Sequence, residues 1–103
     1  MGWTLRLSAQ AGRDLEEIVR HIALDDSAAA ERFGLALITR AESLTQEPKL
    51  GIRIRGWRDV RALLHRNYYI VYRGDAQAGI VEVIRFWHAA RDLGAVRTKD
   101  FEA

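Results

Sequence analysis

From Asn67 to Asp92 the chain reads Asn-Tyr-Tyr-Ile-Val-Tyr-Arg, a turn, then Ile-Val-Glu-Val-Ile-Arg-Phe-Trp-His-Ala-Ala-Arg-Asp, and this run leaves little freedom about the fold. In an extended strand Tyr68, Ile70 and Tyr72 share one face, and Tyr69 and Val71 share the other. Both faces are apolar or aromatic, so the strand belongs in the middle of a sheet. Ile80 to Trp87 is similar, with Glu82 and Arg85 its only charged residues. Between them Gly74 to Gly79, with Gly at both ends and Asp75 beside the first, reads as the turn of a β-hairpin. The second strand runs out into His88, Arg91 and Asp92, side chains that a sheet would hold in place while they reach solvent. A plainer reading of the same residues is that Arg91 and Asp92 pair locally.

The rest of the chain supplies what such a hairpin needs. Trp3-Thr4-Leu5-Arg6-Leu7 alternates apolar and polar, the pattern of a short half-buried strand. Ser8 is placed to cap a helix running to about Asp25, along which Ala11, Leu15, Ile18 and Ile22 form one apolar stripe while Asp14, Glu16, Glu17 and Arg20 face away. Ser27 is the expected cap of a second helix over about 28–46, with Ala30, Phe33, Leu37, Ala41 and Leu44 as its stripe. Pro48 ends it. Two amphipathic helices joined by so short a break pack antiparallel and need a further apolar surface, which the sheet provides. Leu50 to Gly56 reads as an irregular basic connection, and its glycines do not fit a phosphate-cradling loop. Arg58 to Leu64 then begins the sheet proper, and His65-Arg66-Asn67 turns it antiparallel into the tyrosine strand. The expected class is α+β: a strand, an antiparallel helical hairpin and a three-stranded antiparallel meander, with both helices on one face of the sheet and 1–103 forming one domain.

Charge is distributed unevenly. Residues 1–48 hold five Arg against eight acids, whereas residues 49–73 hold seven Lys or Arg against Asp59 alone. A basic middle suits an acidic partner, nucleic acid or protein, although a solvated face would look the same. The chain has no cysteine, which excludes disulfides and thiolate chemistry. His21, His65 and His88 lack metal-ligand spacing, and no Ser-His-Asp arrangement is visible. No cofactor is expected. No apolar run approaches the roughly 18 residues of a membrane span, and the N-terminus lacks a signal-like segment, so the expected location is the cytoplasm.

The order of elements, with Arg61 and Leu63 followed by Tyr68, Ile70, Tyr72 and Arg73, and with Arg85-Phe86-Trp87-His88-Ala89-Ala90-Arg91-Asp92 at the end, resembles the ParE and RelE superfamily of bacterial toxins from type II toxin–antitoxin pairs. The resemblance covers nearly the whole chain, and its last segment looks like the ParE branch. RelE-like members cut messenger RNA in the ribosome with Lys and Arg on the exposed sheet face and a tyrosine near the C-terminus; ParE-like members bind DNA gyrase and leave cleaved DNA behind. Aligned on the tyrosine strand, positions basic in the RNA-cleaving relatives fall on Ala62, Leu64 and Tyr69 here, and no tyrosine follows Tyr72. Phosphodiester cleavage by 2′-OH attack needs a base, an acid and cations around the phosphate.

The resemblance therefore implies a non-enzymatic toxin that inhibits DNA gyrase and is neutralised by a ParD-like antitoxin, with a toxin–antitoxin hetero-oligomer as the resting form. The alternatives are a ribosome-dependent messenger-RNA endonuclease using His88 and Arg91, and a toxin-derived scaffold without toxicity. Trp87, His88, Arg91 and Asp92 are the expected contacts to the target. Because helices cover one face only, Tyr69, Val71, Val81, Val83 and Trp87 are expected to form an open apolar strip. An antitoxin segment would cover it, with Arg58, Arg61 and Arg66 contributing charge.

Overall fold

The computed structural model describes residues 2–91. The elements are β1 (Thr4–Leu7), α1 (Ala9–Ala23), α2 (Ser27–Glu42) with a 3-10 turn at Ser43–Thr45, β2 (Ile52–Arg53), β3 (Val60–His65), β4 (Tyr68–Asp75) and β5 (Ile80–His88). The sheet order is β1-β5-β4-β3-β2. Strands β3, β4 and β5 form the antiparallel meander, β1 runs parallel to β5 at one edge, and β2 pairs antiparallel with β3 at the other. No helix among the described residues is long and apolar enough to cross a membrane.

Local chemistry sets the helix starts. The Ser8 hydroxyl accepts from the Ala11 amide at 3.0 Å and donates to the Ile84 carbonyl at 2.8 Å, so one side chain both caps α1 and ties it to β5. The second helix is capped by Asp26 rather than Ser27. Asp26 has the extended backbone a cap requires (φ −157°), and its carboxylate accepts from the Ala29 amide at 3.0 Å. The helices approach closely at Gly34, where a Cβ would come within 2.9 Å of Val19 Cγ2. Their stripes, including Ala11, Ile18, Leu37, Ala41 and Leu44, pack on Leu63, Ile70, Tyr72, Val81, Val83 and Phe86 of the sheet. Burying a side chain such as Leu37 or Ile70 contributes roughly 1.5–3 kcal/mol each.

The strip expected to lie open is mostly covered, for two reasons. Val71 stands opposite Arg85 and Tyr72 opposite Val83, which leaves Ile84 as an extra residue in β5. This bulge shifts the alternation by one. Val81 and Val83 therefore point into the helix-side core with Phe86, while Ile84 and Trp87 take the other face. On that other face Val71 and Trp87 pack with Ile54, Val60, Ala62 and Ile84, and Trp57 and Tyr69 close over them. The chain between β2 and β3 folds under the sheet to do this, with Ile54 N–H bonded to the Val60 carbonyl at 2.9 Å and Gly56 and Asp59 both at positive φ. Val71, Val81 and Val83 are fully buried and Trp87 is 1% exposed. Of the expected strip only Tyr69 keeps part of its surface, joined by the exposed Leu64 and Ile52.

The basic connection is pinned from below by the two motif residues Arg61 and Tyr72. Tyr72 Oη donates to the Pro48 carbonyl at 2.7 Å and accepts from the Gly51 amide at 2.8 Å. Arg61 Nη1 donates to the carbonyls of Gly51 at 2.9 Å and Lys49 at 3.4 Å. Burial pushes the Tyr72 phenol above its ordinary pKa of 10.0, against the opposing effects of the Gly51 amide and the Arg61 charge. It stays a neutral hydroxyl, able to donate and accept at once. Gly51 has no room for a side chain: a Cβ would lie 2.8 Å from the Ala62 carbonyl oxygen. We expect Tyr72→Phe to lower the unfolding free energy in urea by about 1–3 kcal/mol, because it leaves the Gly51 amide without its acceptor. Gly51→Ala should cost more, and a Tyr72→Phe variant unfolding at the wild-type urea concentration would contradict this clamp.

Candidate functional site

The polar end of β5 is built by three elements. Tyr68 at the start of β4 stands opposite His88 at the end of β5, with the rings edge-on at 4.9 Å. Phe33 of α2 lies against Tyr68 at 5.7 Å and His65 at 6.1 Å. His88 Nδ1 accepts from the Ala90 amide at 3.0 Å, so a neutral ring carries its proton on Nε2. That nitrogen lies 3.4 Å from Asn67 Nδ2, a donor, so in this tautomer the two bond only with the Asn67 amide turned over to present its oxygen. Asn67 also holds the following turn, its carbonyl accepting from the Ala89 amide at 2.8 Å. His88 is half-buried and fixed in orientation. Burial pushes the neighbouring Tyr68 phenol upward in pKa, so it is a hydroxyl donor rather than an anion at neutral pH.

Beside this ring pair lies a depression of about 240 Å³ that also takes in Asp14, Glu17, His21, Arg85 and Arg91. Its floor is an ion pair the sequence did not announce. Asp14, expected on the solvent side of α1, is only 6% exposed. Arg85 Nε donates to its Oδ2 at 2.7 Å and Arg85 Nη2 to its Oδ1 at 3.1 Å, while the Phe86 amide donates to Oδ2 at 3.1 Å. Strand β1 has ended by this point of β5, and the carboxylate stands in for the missing neighbour. Arg85, one of only two charged residues in a largely apolar strand, was the available signal, since a buried cation requires a counter-charge from the packed layer.

The expected target contacts are thus unequal. His88 and Arg91 come together around the depression, and Arg91 is exposed. Trp87 is a support: its ring lies 3.6 Å beneath the Arg91 guanidinium and 5.0 Å from that of Arg85, and it is buried against Val71 and Ile84. Asp92 lies outside the described residues. The three arginines singled out for an acidic partner are dispersed. Arg61 braces the loop, Arg58 is exposed beside it, and Arg66 sits in the β3–β4 turn at the other end of the sheet with φ 55°. Among the described residues no group of three His, Asp or Glu side chains is placed to hold a metal ion.

Residues 5–93 match the family model of the ParE toxin of the type II toxin–antitoxin system parDE. The chain belongs to the ParE toxin family. The ParE-family fold is shared with solved structures at low sequence identity: a chain of the chromosomal ParDE toxin–antitoxin system from P. aeruginosa (TM-score 0.71, 21% identity, covering 84% of this chain and 95% of that one). A second is a chain of the RelBE2 toxin–antitoxin complex from Mycobacterium tuberculosis (0.68, 23%, 85% and 99%), and a third is a mutant of the E. coli toxin RelE in the free state (0.57, 23%, 86% and 85%). No curated protein sequence matches. That family is one of toxins from type II toxin–antitoxin systems.

Removing either partner of the buried pair should be costly. Asp14→Ala takes the carboxylate from Arg85 and the acceptor from the Phe86 amide, and Arg85→Ala takes the counter-charge from the carboxylate, so each should lower stability by about 3–5 kcal/mol in denaturant titrations. The double variant should lose less than the sum. Folded His65 should also make stability pH-dependent. Burial, with Arg66 and Arg40 nearby, holds its pKa below the ordinary 6.5. Below that value the unfolded chain takes up a proton that the folded chain refuses, so stability falls as pH drops from 6.5 toward the folded pKa and is unaffected above it. The melting temperature of His65→Phe should accordingly fall less steeply than wild type between about pH 7 and pH 5.

Proposed function

We propose that this ParE-family toxin acts by binding DNA gyrase, without chemistry of its own, and that a cognate ParD-like antitoxin neutralises it in the cytoplasm. The observation that carries the reading is the composition of the sheet face away from the helices. At the places where the resemblance puts cations in RNA-cleaving relatives, this chain has Ala62, 2% exposed, Leu64, 50% exposed, and the half-buried Tyr69. A face of that kind offers an apolar contact surface and no electrostatic cradle for a phosphodiester in cleavage. The guanidiniums that line the depression with His88 are engaged as well, Arg85 with Asp14 and Arg91 over the Trp87 ring. His88, Asn67, Tyr68 and Arg91 make a rigid hydrogen-bonding patch suited to recognition. Antitoxin binding is favoured by exposed apolar side chains on the sheet strands, Ile52 at 63% and Leu64 at 50%, set among the basic residues of 49–73.

Expression of the chain alone should arrest growth with altered plasmid topology and cleaved DNA appearing before any loss of intact transcripts. The His88→Ala, Arg91→Ala pair should reduce that arrest by at least about tenfold in viable count while leaving the melting temperature within a few degrees of wild type. Transcript cleavage in translating ribosomes preceding any DNA damage would replace this reading with the endonuclease one. Absence of any growth defect would favour a scaffold that only binds its partner.

A further inference from the structure

Two adjoining depressions, of about 500 and 670 Å³, lie at the end of the sheet away from His88 and share Trp3, Pro48 and Lys49. Together they form one groove between the start of β1, the connection from α2 to β2 and the β4–β5 turn. One wall is apolar. The Trp3 indole lies over Gly74, where a Cβ would sit 3.4 Å from its Cζ3, and Pro48 and the 39% exposed Leu50 continue the surface. The other wall carries Lys49, Arg58, Arg61 and Arg73.

Those four cations differ in what they are free to do. Arg61 is spent on the Gly51 and Lys49 carbonyls, and Arg73 pairs with Glu82 at 3.4 Å. Lys49 and Arg58 are exposed, and their side chains form no ion pair among the described residues. Glu47, Asp59 and Asp75 also line the groove. The Asp75 carboxylate is turned back on its own loop, accepting from the amides of Gln77 at 3.1 Å and Ala78 at 3.2 Å. Two uncommitted cations beside an indole and a proline ring make a surface for carboxylates flanking an apolar side chain.

We propose that this groove docks an acidic segment of the antitoxin, an apolar side chain seated on Trp3 and Pro48 and its neighbouring carboxylates paired with Lys49 and Arg58. The proposal rests on the antitoxin reading given above and adds the place and the chemistry. It also separates two activities in space. Tyr68 and Asp75 mark the two ends of β4, so the groove and the His88 patch lie roughly 20–25 Å apart at about 3.3 Å per residue. Binding of the antitoxin and contact with the target are then separable by mutation.

The test is a Lys49→Glu, Arg58→Glu double variant of the full chain, with Lys49→Gln, Arg58→Gln as a charge-neutral companion and the product of the adjacent antitoxin reading frame as the probe. Both variants change exposed side chains, and a thermal melt checks that each is folded. We expect growth arrest by the variant alone to equal wild type, antitoxin affinity to fall at least about tenfold, and the dependence of affinity on salt to flatten, with the neutral companion in between. Variant and wild type bound equally tightly would overturn the groove assignment alone. So would an unchanged antitoxin affinity combined with lost binding to a single-stranded oligonucleotide, which would make the groove a nucleic-acid site. Wild-type chain that binds no antitoxin would overturn the underlying reading.

Discussion

A single buried carboxylate holds the two layers of this protein in register. Asp14 of α1 meets Arg85 at 2.7 Å and the Phe86 amide at 3.1 Å, at the point where β5 has lost β1 as a neighbour. Without it, the Arg85 guanidinium would lose its carboxylate and the Phe86 amide its acceptor, at a cost larger than any single apolar contact nearby contributes. With it, α1 covers an edge that would otherwise be open to pairing by a foreign strand. Ser8, at the N-cap of the same helix, satisfies the Ile84 carbonyl.

That junction also contains the bulge, and the bulge decides what faces where. Because Ile84 is inserted, Val83 and Phe86 both enter the core beneath the helices, while Trp87 turns to the opposite face and becomes the platform for Arg91. His88 is thereby delivered against Tyr68 and Asn67. The distal end of the sheet is organised by a different device, the Tyr72 hydroxyl and Arg61 guanidinium that draw the Pro48–Gly51 chain over the sheet and leave Lys49 and Arg58 at its rim. One molecule thus carries two chemically distinct ends, an aromatic and imidazole patch at one and a cationic, indole-walled groove at the other.

Much of this was legible in the sequence, and the reason is periodicity. Both helices announce themselves by apolar stripes, and the tyrosine strand by apolar residues on both faces, because burial on one or two sides imposes those patterns directly. The order of elements and the helices on one side follow from them. What could not be read were features that depend on a second element. The phase of β5 after Val83 is set by where β1 ends and by a helix acid seventy-one residues away in the chain. Periodicity alone put Val81, Val83 and Trp87 together on an open face, whereas the bulge separates them and the Ile54–Val60 segment buries what remains. Arg61 and Tyr72 stood out as motif residues, but only the loop they hold reveals that they brace it. Asp26 displaced Ser27 as the cap because the choice turns on one backbone angle that neighbouring residue types do not dictate.

The proposed mode of action, a rigid surface that holds a macromolecular target without breaking a phosphodiester, is tested most directly with purified components. Wild-type chain would be titrated into a gyrase reaction on supercoiled plasmid and, in parallel, into a translating extract carrying a defined transcript. The account predicts inhibited supercoiling and accumulation of cleaved plasmid with the transcript intact; transcript cut at codon-spaced positions while gyrase works normally would contradict it.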